Sequence, residues 1–376
     1  MPLHRGIEDS APATKHKALT MLTTEGCRAR RERFWREAKL PDRVQQVTFA
    51  DPIHVRYFAG CYVTPISSAA EIMPPLTMYG DGRSQLLLAN KMPAGVKLSH
   101  VDEQIVDQWY DGQSPATHPR NLTKPPAPPC DIAGHEFAEF FINTISQLRR
   151  RKDPDEIEVL RECCRAGEAG QAWALAHIES GMTELDVYTG VAAACIKQAG
   201  QPVVLYGDFA VSPGPERRGG PPTRRTLANG DLMILDFSVV IAGYRSDFTN
   251  TVCVGREPKP EQQRLMDLCQ QAMAAGESNL RAGIPCQVVY DAVRGVFEKA
   301  GMADKFPHHA GHGLGLMHPE APYIVRHSTE TLLAGDVVTL EPGLYVEGVG
   351  GVRIEHNYLI TDAGYDRLSQ HRIGLS

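Results

Sequence analysis

Four carboxylates and one histidine in the second half of the chain stand where ligands of a metal centre would: Asp236, Asp247, His312, Glu341 and Glu355. Asp236 closes an apolar run, Leu232 to Leu235, where an isolated anion would be costly to bury. Asp247 follows eleven residues later, with Ala242-Gly243 between them as the expected hairpin turn. The two carboxylates can therefore face each other across adjacent strands. Glu341 and Glu355 repeat the pattern in a second hairpin. Carboxylates held together at the buried end of a hairpin repel unless a proton or cations lie between them. With no Lys or Arg placed near all four, divalent metal is the economical answer. The histidine comes from HHAGHGLGLMHPEAP, residues 308–322, where Gly311, Gly313 and Gly315 let the backbone approach closely around His312. An oxygen-rich set with one imidazole suits Mn, Co, Fe or Zn, and two ions bridged by carboxylates suit hydrolysis of a polarised carbonyl. Any one of these residues alone would read as a capped or hydrogen-bonded polar group.

The elements that must position them come as an internal repeat. Gly181 to Gly200 reads GMTELDVYTGVAAACIKQAG, and Gly283 to Gly301 reads GIPCQVVYDAVRGVFEKAG. Each is a Gly turn followed by an amphipathic helix with Val-Tyr at one position and Ala-Gly at its close. A strand-turn-strand follows each: GDLMILDF from Gly230 and GDVVTLEP from Gly335, with the second carboxylate after GYRS or GGVRI. The helices of both repeats should cover one face of a curved antiparallel sheet. That makes the fold α+β and not a Rossmann arrangement, because no strand runs into a Gly-rich phosphate turn.

Ahead of the repeat the patterning is less regular. A helix is expected from Arg28 to Ala38, extended segments at Val44 to Phe49 and Val55 to Phe58, and a strand at Ser84 to Leu88. The Pro-rich stretch 115–129 should loop over the surface. His135 to Leu148 reads as a helix, and Pro154 suits the start of another over Asp155 to Ser180. The expected division is a tail or arm at 1–27, a smaller α/β domain at 28–150 and the repeat-bearing domain at 151–376.

With 376 residues, 42% apolar and 22% charged, the chain has the composition of a soluble protein with two cores. A net charge of −6 and the lack of a basic stripe argue against nucleic-acid or anionic-membrane partners. The one basic run, Arg149, Arg150, Arg151 and Lys152, abuts Asp153, Asp155 and Glu156 and is expected to be a solvated helix entrance. No apolar stretch is long enough to span a membrane, and residues 1–27 lack the apolar core of a secretory signal. Nine scattered cysteines without a CxxC pair read as reduced core residues, which points to the cytoplasm.

The chain resembles the M24 metallopeptidase superfamily, the pita-bread enzymes that include Xaa-Pro aminopeptidase, prolidase, methionine aminopeptidase and the metal-free creatinase. The residues that carry the likeness are Asp236 in LDFS, Asp247 in YRSDFTNT, His312 in AGHGLGL, Glu341 in LEPGLY and Glu355 in GVRIEHN. RRERFWREAKL and DPIHVRYFAG are similar to the creatinase/prolidase N-terminal domain, which methionine aminopeptidases lack. The resemblance implies that Asp236 chelates one ion, His312 and Glu341 the other, and that Asp247 and Glu355 bridge both. It implies a bridging water as nucleophile and Glu341 as its proton shuttle, with manganese the favoured metal. It also implies a homodimer and a small peptide substrate, of the Xaa-Pro aminopeptidase or prolidase kind. Arg353 and His308 fall on family positions.

Two substrate histidines of the family do not. In ERRGGPPTRRTL the first histidine position holds Gly219 or a near neighbour, and in MHPEAP Pro319 holds the second, with His318 one place early. Either the loop shifts so that His318 fills the role, or the substrate differs, for example a small non-peptide amide. A metal-free binding protein on the same fold is disfavoured because all five ligands are present. Arg217, Arg218, Arg224 and Arg225 either bind a carboxylate-bearing substrate or are solvated at the surface.

Overall fold

The computed structural model describes residues 21–42, 44–67, 74–89, 99–107, 135–255 and 257–376. The Pro-rich stretch 115–129 lies outside them. Helix α1 (Thr24–Glu37) starts four residues ahead of the expected Arg28, because the Thr23 hydroxyl caps the Gly26 N–H at 3.0 Å. Leu22 and Cys27, in the segment expected as a tail, are buried in the core of the first repeat. Strands β1 (Gln46–Phe49), β2 (Leu76–Tyr79), β3 (Ser84–Ala89) and β4 (Glu103–Asp107) form a sheet in that order, antiparallel except for the β3–β4 pair.

The segment Val55 to Phe58, expected to be extended, is helical: it lies within α2 (Pro52–Ala59). Its punctuation outweighs its β-branched and aromatic content. Asp51 accepts from the Ile53 N–H at 2.7 Å, Pro52 occupies the first turn, and Gly60 closes the helix in the left-handed region.

The basic run is the second correction. Arg149, Arg150 and Lys152 are 6%, 5% and 5% exposed, at the end of α3 (His135–Arg150) and just beyond it. Arg150 grips Asp336 with Nε and Nη2 at 3.0 and 2.7 Å, and Lys152 Nζ lies 2.7 Å from Glu320. The neighbouring acids do not answer these cations. Asp153 and Asp155, at the head of α4 (Pro154–His177), pair instead with Arg30 and Arg33 of α1 at 2.6–3.1 Å. Both sets of partners are distant in sequence, so local charge balance could not reveal them. Arg150→Ala would strand the fully buried Asp336, and we expect a loss of about 3–5 kcal/mol of stability in urea unfolding. The double variant Arg150→Met, Asp336→Leu should recover most of it.

The repeat is built as two helix pairs on two sheets. In the first, α4 packs against α5 (Glu184–Ala199) beside a sheet of β5 (Val204–Val211), β6 (Leu232–Ile241), β7 (Tyr244–Arg245) and β8 (Phe248–Cys253), with β6 in the middle. In the second, α6 (Pro260–Glu277) packs against α7 (Cys286–Lys299). They lie beside β9 (Gly311–Gly313), β10 (Glu320–Ile324), β11 (Val337–Leu340), β14 (His356–Ile360) and β15 (Tyr365–Arg367), ordered β10-β9-β11-β14-β15. A hairpin of β12 (Gly343–Val346) and β13 (Gly350–Arg353) completes this half. The expected turn at Ala242-Gly243 is present, with both residues at positive φ. The halves meet where Thr249 faces Glu355: the Glu355 N–H donates to the Thr249 carbonyl at 2.9 Å. Gly311 and Gly313 sit under backbone; a Cβ there would come within 2.0 Å of the Thr339 oxygen and 2.1 Å of the Ala321 oxygen. Any side chain at either place would push His312 out of the sheet.

Candidate metal centre

All five sequence-derived ligand positions line one cavity of about 440 Å³ at the seam between the halves. Asp236 sits in the middle of β6, opposite Asp208 of β5 and Thr249 of β8. Asp247 lies just before β8, one diagonal step away, and Asn357 of the other half accepts its N–H at 3.0 Å. His312 is central in β9. Its Nδ1 donates to the Gly313 carbonyl at 2.9 Å, which leaves Nε2 as an acceptor 3.5 Å from both Asp247 and Glu341. Glu341 follows β11 and Glu355 precedes β14. Ligand atoms of Asp236, Asp247 and Glu355 lie within 4.8 Å of one another, as do those of His309, His312 and Glu341, and of Asp247, His312 and His318.

The electrostatics suit bound cations. Burial, with Asp247, Glu341 and Asp236 alongside, raises the Glu355 carboxyl well above its ordinary value. Burial pushes Asp236 up to about 7, although Arg353 opposes the shift. Burial also opposes ionisation of Glu341, yet contact with His309 holds it down at about 2. Glu355 Oε2 accepts from the Thr249 hydroxyl at 2.7 Å, while the buried Oε1 has no hydrogen-bond partner among the described residues. A buried, unpartnered carboxylate oxygen inside a ring of acids and imidazoles fits divalent ions; without them the cluster must hold protons.

Arg353 is the cation missing from a count of the sequence neighbours, and it serves one side of the cluster. Its Nη2 lies 2.6 Å from Asp236 and 2.8 Å from Asp208, and its Nη1 donates to the Tyr345 hydroxyl at 2.8 Å. His308 Nε2 is 3.2 Å from that hydroxyl, and burial lowers the His308 pKa to about 4. His318 is the most open member of the cluster. Its Nε2 lies 2.6 Å from Asp247, which raises its pKa in spite of burial. The structure thus places His318 in the cavity, beside Pro319. Gly219 lines the same cavity, and a Cβ on it would lie 1.8 Å from Asp208 Oδ2. Asp208 therefore fills the space that a side chain at 219 would need.

Of the four arginines near Gly219, Arg218 reaches the cavity; Arg217 is bound to Glu184 at 2.8 and 3.0 Å, and Arg225 lies 3.3 Å from Asp231. Arg224 is exposed. Three cavity residues were not singled out from sequence: His309, whose Nε2 is 2.8 Å from Glu341, together with Asp208 and Tyr345. Asp208 carried a usable signal, a lone carboxylate inside the apolar run VLYGDFAV, the same signal that marks Asp236.

A buried carboxylate–imidazole centre at the seam of two helix-covered repeats defines a metallohydrolase of the pita-bread class. The chain belongs to metallopeptidase family M24, whose profile matches residues 158–362. An uncharacterized peptidase of Staphylococcus aureus (strain USA300) is 30% identical over 338 residues, covering 85% of this chain and 93% of that protein. Among solved structures, the Xaa-Pro dipeptidase from Bacillus anthracis aligns with a TM-score of 0.72 at 22% identity, over 94% of this chain and 99% of its own. The dipeptidase PepE from Mycobacterium ulcerans aligns with a TM-score of 0.72 at 26% identity, over 94% and 98%. The likeness extends through the N-terminal sheet, as the creatinase-type resemblance implied.

Proposed function

We propose that the enzyme is a two-metal amide hydrolase of the Xaa-Pro aminopeptidase or prolidase kind, with manganese as its metal. The observation that carries this reading is the buried, unpartnered oxygen of Glu355 within the carboxylate–imidazole ring. In this reading Asp236 would help to hold one ion and His312 and Glu341 the other, with Asp247 and Glu355 available to both. Bound ions would supply Lewis acidity and lower the pKa of an attacking water. Glu341 accepts the proton released on attack and returns it to the leaving nitrogen. Arg353, anchored by Tyr345, orients Asp236 and opposes the upward shift that burial imposes on it. His318 and His309 are the donors placed to meet a developing oxyanion. The proposed division into an N-terminal domain at 28–150 and a catalytic domain at 151–376 accompanies this reading, as does a cytoplasmic homodimer.

Proline release from Xaa-Pro dipeptides and tripeptides after manganese or cobalt loading tests the reading; no release from either class would sink it. A second reading, the same centre acting on a small non-peptide amide, is favoured by Asp208 and Gly219 standing where a side chain at 219 has no room. A matched panel of small amides separates the two. His318→Ala should lower turnover about a hundredfold with KM changed less, the effect of removing one oxyanion donor. Steady-state kinetics at saturating metal checks this, and unchanged turnover would remove His318 from the reaction.

A further inference from the structure

A second cavity, of about 570 Å³, lies between α2 with the segment after it and the β6–β7 hairpin. It shares no lining residue with the metal cavity. Its walls include Ile53, Val240 and Leu316, and two guanidinium groups face it, Arg56 and Arg245. Arg56 is 2% exposed, and its Nη1 donates to the Gly60 carbonyl. Its Nε and Nη2 have no partner among the described residues, and neither does the buried Nε of Arg245. Among those residues no carboxylate pairs with either arginine. Aromatic rings stand in their place: Tyr62 and Tyr244 at 5.7 and 5.9 Å from Arg56, and Tyr206 at 5.2 Å from Arg245.

Arg31 is likewise held by carbonyls, those of Phe58 and His100, and Arg149 lies 3.6 Å from Glu320, but four other buried cations are neutralised at close range. Arg30, Arg150, Lys152 and Arg353 each have a carboxylate oxygen within 3.0 Å. A buried cation without a counter-charge is costly, and Arg56 so placed, with the half-buried Arg245 beside it on one apolar cavity, marks a place for an anion. Pockets of several hundred Å³ with apolar walls and a few convergent polar groups are the usual form of small-molecule sites. A guanidinium fork suits a carboxylate in particular.

We propose that this cavity is a binding site for a small organic anion, a carboxylate carried on a short apolar body. The carboxylate takes the free N–H groups of Arg56 and Arg245, and the apolar part lies against Ile53, Val240 and Leu316. The site is separate from the reacting centre but joined to it along the chain. Arg245 stands two residues before Asp247, its N–H donates to the Gly315 carbonyl at 3.0 Å, and Leu316 stands two residues before His318. An occupant therefore rests on both segments that deliver the Asp247–His318 pair. The inference is independent of which amide the enzyme cleaves.

Calorimetric titration of the metal-loaded, full-length enzyme with hexanoate, 1-hexanol and inorganic phosphate tests it. Hexanoate should bind at one site per chain. The alcohol, without charge, and phosphate, without an apolar body, should each bind at least about tenfold more weakly. Arg245→Gln should weaken hexanoate binding by at least about tenfold, and Arg245→Lys, which keeps the charge but not the fork, by less. Both variants should show the parent's far-ultraviolet circular dichroism. The titration is repeated after chelation, and binding should persist. Loss of binding on chelation, or unchanged affinity in Arg245→Gln, would place hexanoate at the metal centre and overturn the proposal. Phosphate binding as tight as hexanoate would overturn it as well.

Discussion

Glu341→Gln is expected to lower turnover on an Xaa-Pro substrate by about a hundredfold or more while substrate affinity changes far less. Glutamine keeps the size of the side chain and its place after β11, within reach of His309 and His312. What it removes is the ability to take up a proton and one negative charge from the cluster. Glu341 is the carboxylate of the cluster that the imidazoles hold ionised, whereas Glu355 and Asp236 are pushed toward their protonated forms. The loss should therefore fall on kcat and leave KM nearly unmoved, in the pattern of an interaction made in the transition state. Single-turnover kinetics with metal content measured in parallel provides the check. A variant that loses its metal would show a ligand role, and one that keeps both metal and turnover would remove Glu341 from proton transfer.

The second large effect concerns the ions themselves. Protein purified without chelator should carry about two divalent ions per chain, and Asp247→Ala or Glu355→Ala should lower this to about one or fewer, since each variant removes a ligand shared by both ions. Elemental analysis after manganese reconstitution measures both. A reconstituted parent without transition metal would end the two-metal reading, whatever its activity.

Legibility differed between the two halves of the chain for physical reasons. The convergence of the five candidate positions on one cavity could be read because an acid at the end of an apolar strand is anomalous wherever it occurs, and the repeat made the anomaly appear twice. Asp236 and Glu341 share that signature, and their hairpins bring Asp247 and Glu355 alongside. The side-chain types of Val55 to Phe58 favour an extended segment, but the caps Asp51, Pro52 and Gly60 decide it as helix. The basic run failed for another reason. Arg150 and Lys152 are neutralised by Asp336 and Glu320, and pairing across more than 160 residues leaves no local trace. His309 carries no local signal that separates it from its neighbour His308; only the fold brings its Nε2 to Glu341. Gly219 has Asp208 beside it, a neighbour that lies eleven residues away in sequence and leaves no local trace.

The contact between Thr249 and Glu355 has a thermodynamic side. Asp236 and Asp247 belong to one half of the repeat, and His312, Glu341 and Glu355 to the other, so neither half owns a complete set of ligands. Ions bound there would clamp the seam, and their binding free energy would add to the cohesion of the two halves. At a free-ion concentration a hundred times the dissociation constant, that linkage amounts to about 2.7 kcal/mol. Metal supply would then set how long the folded enzyme lasts as well as how fast it works, and starvation for metal would remove both together.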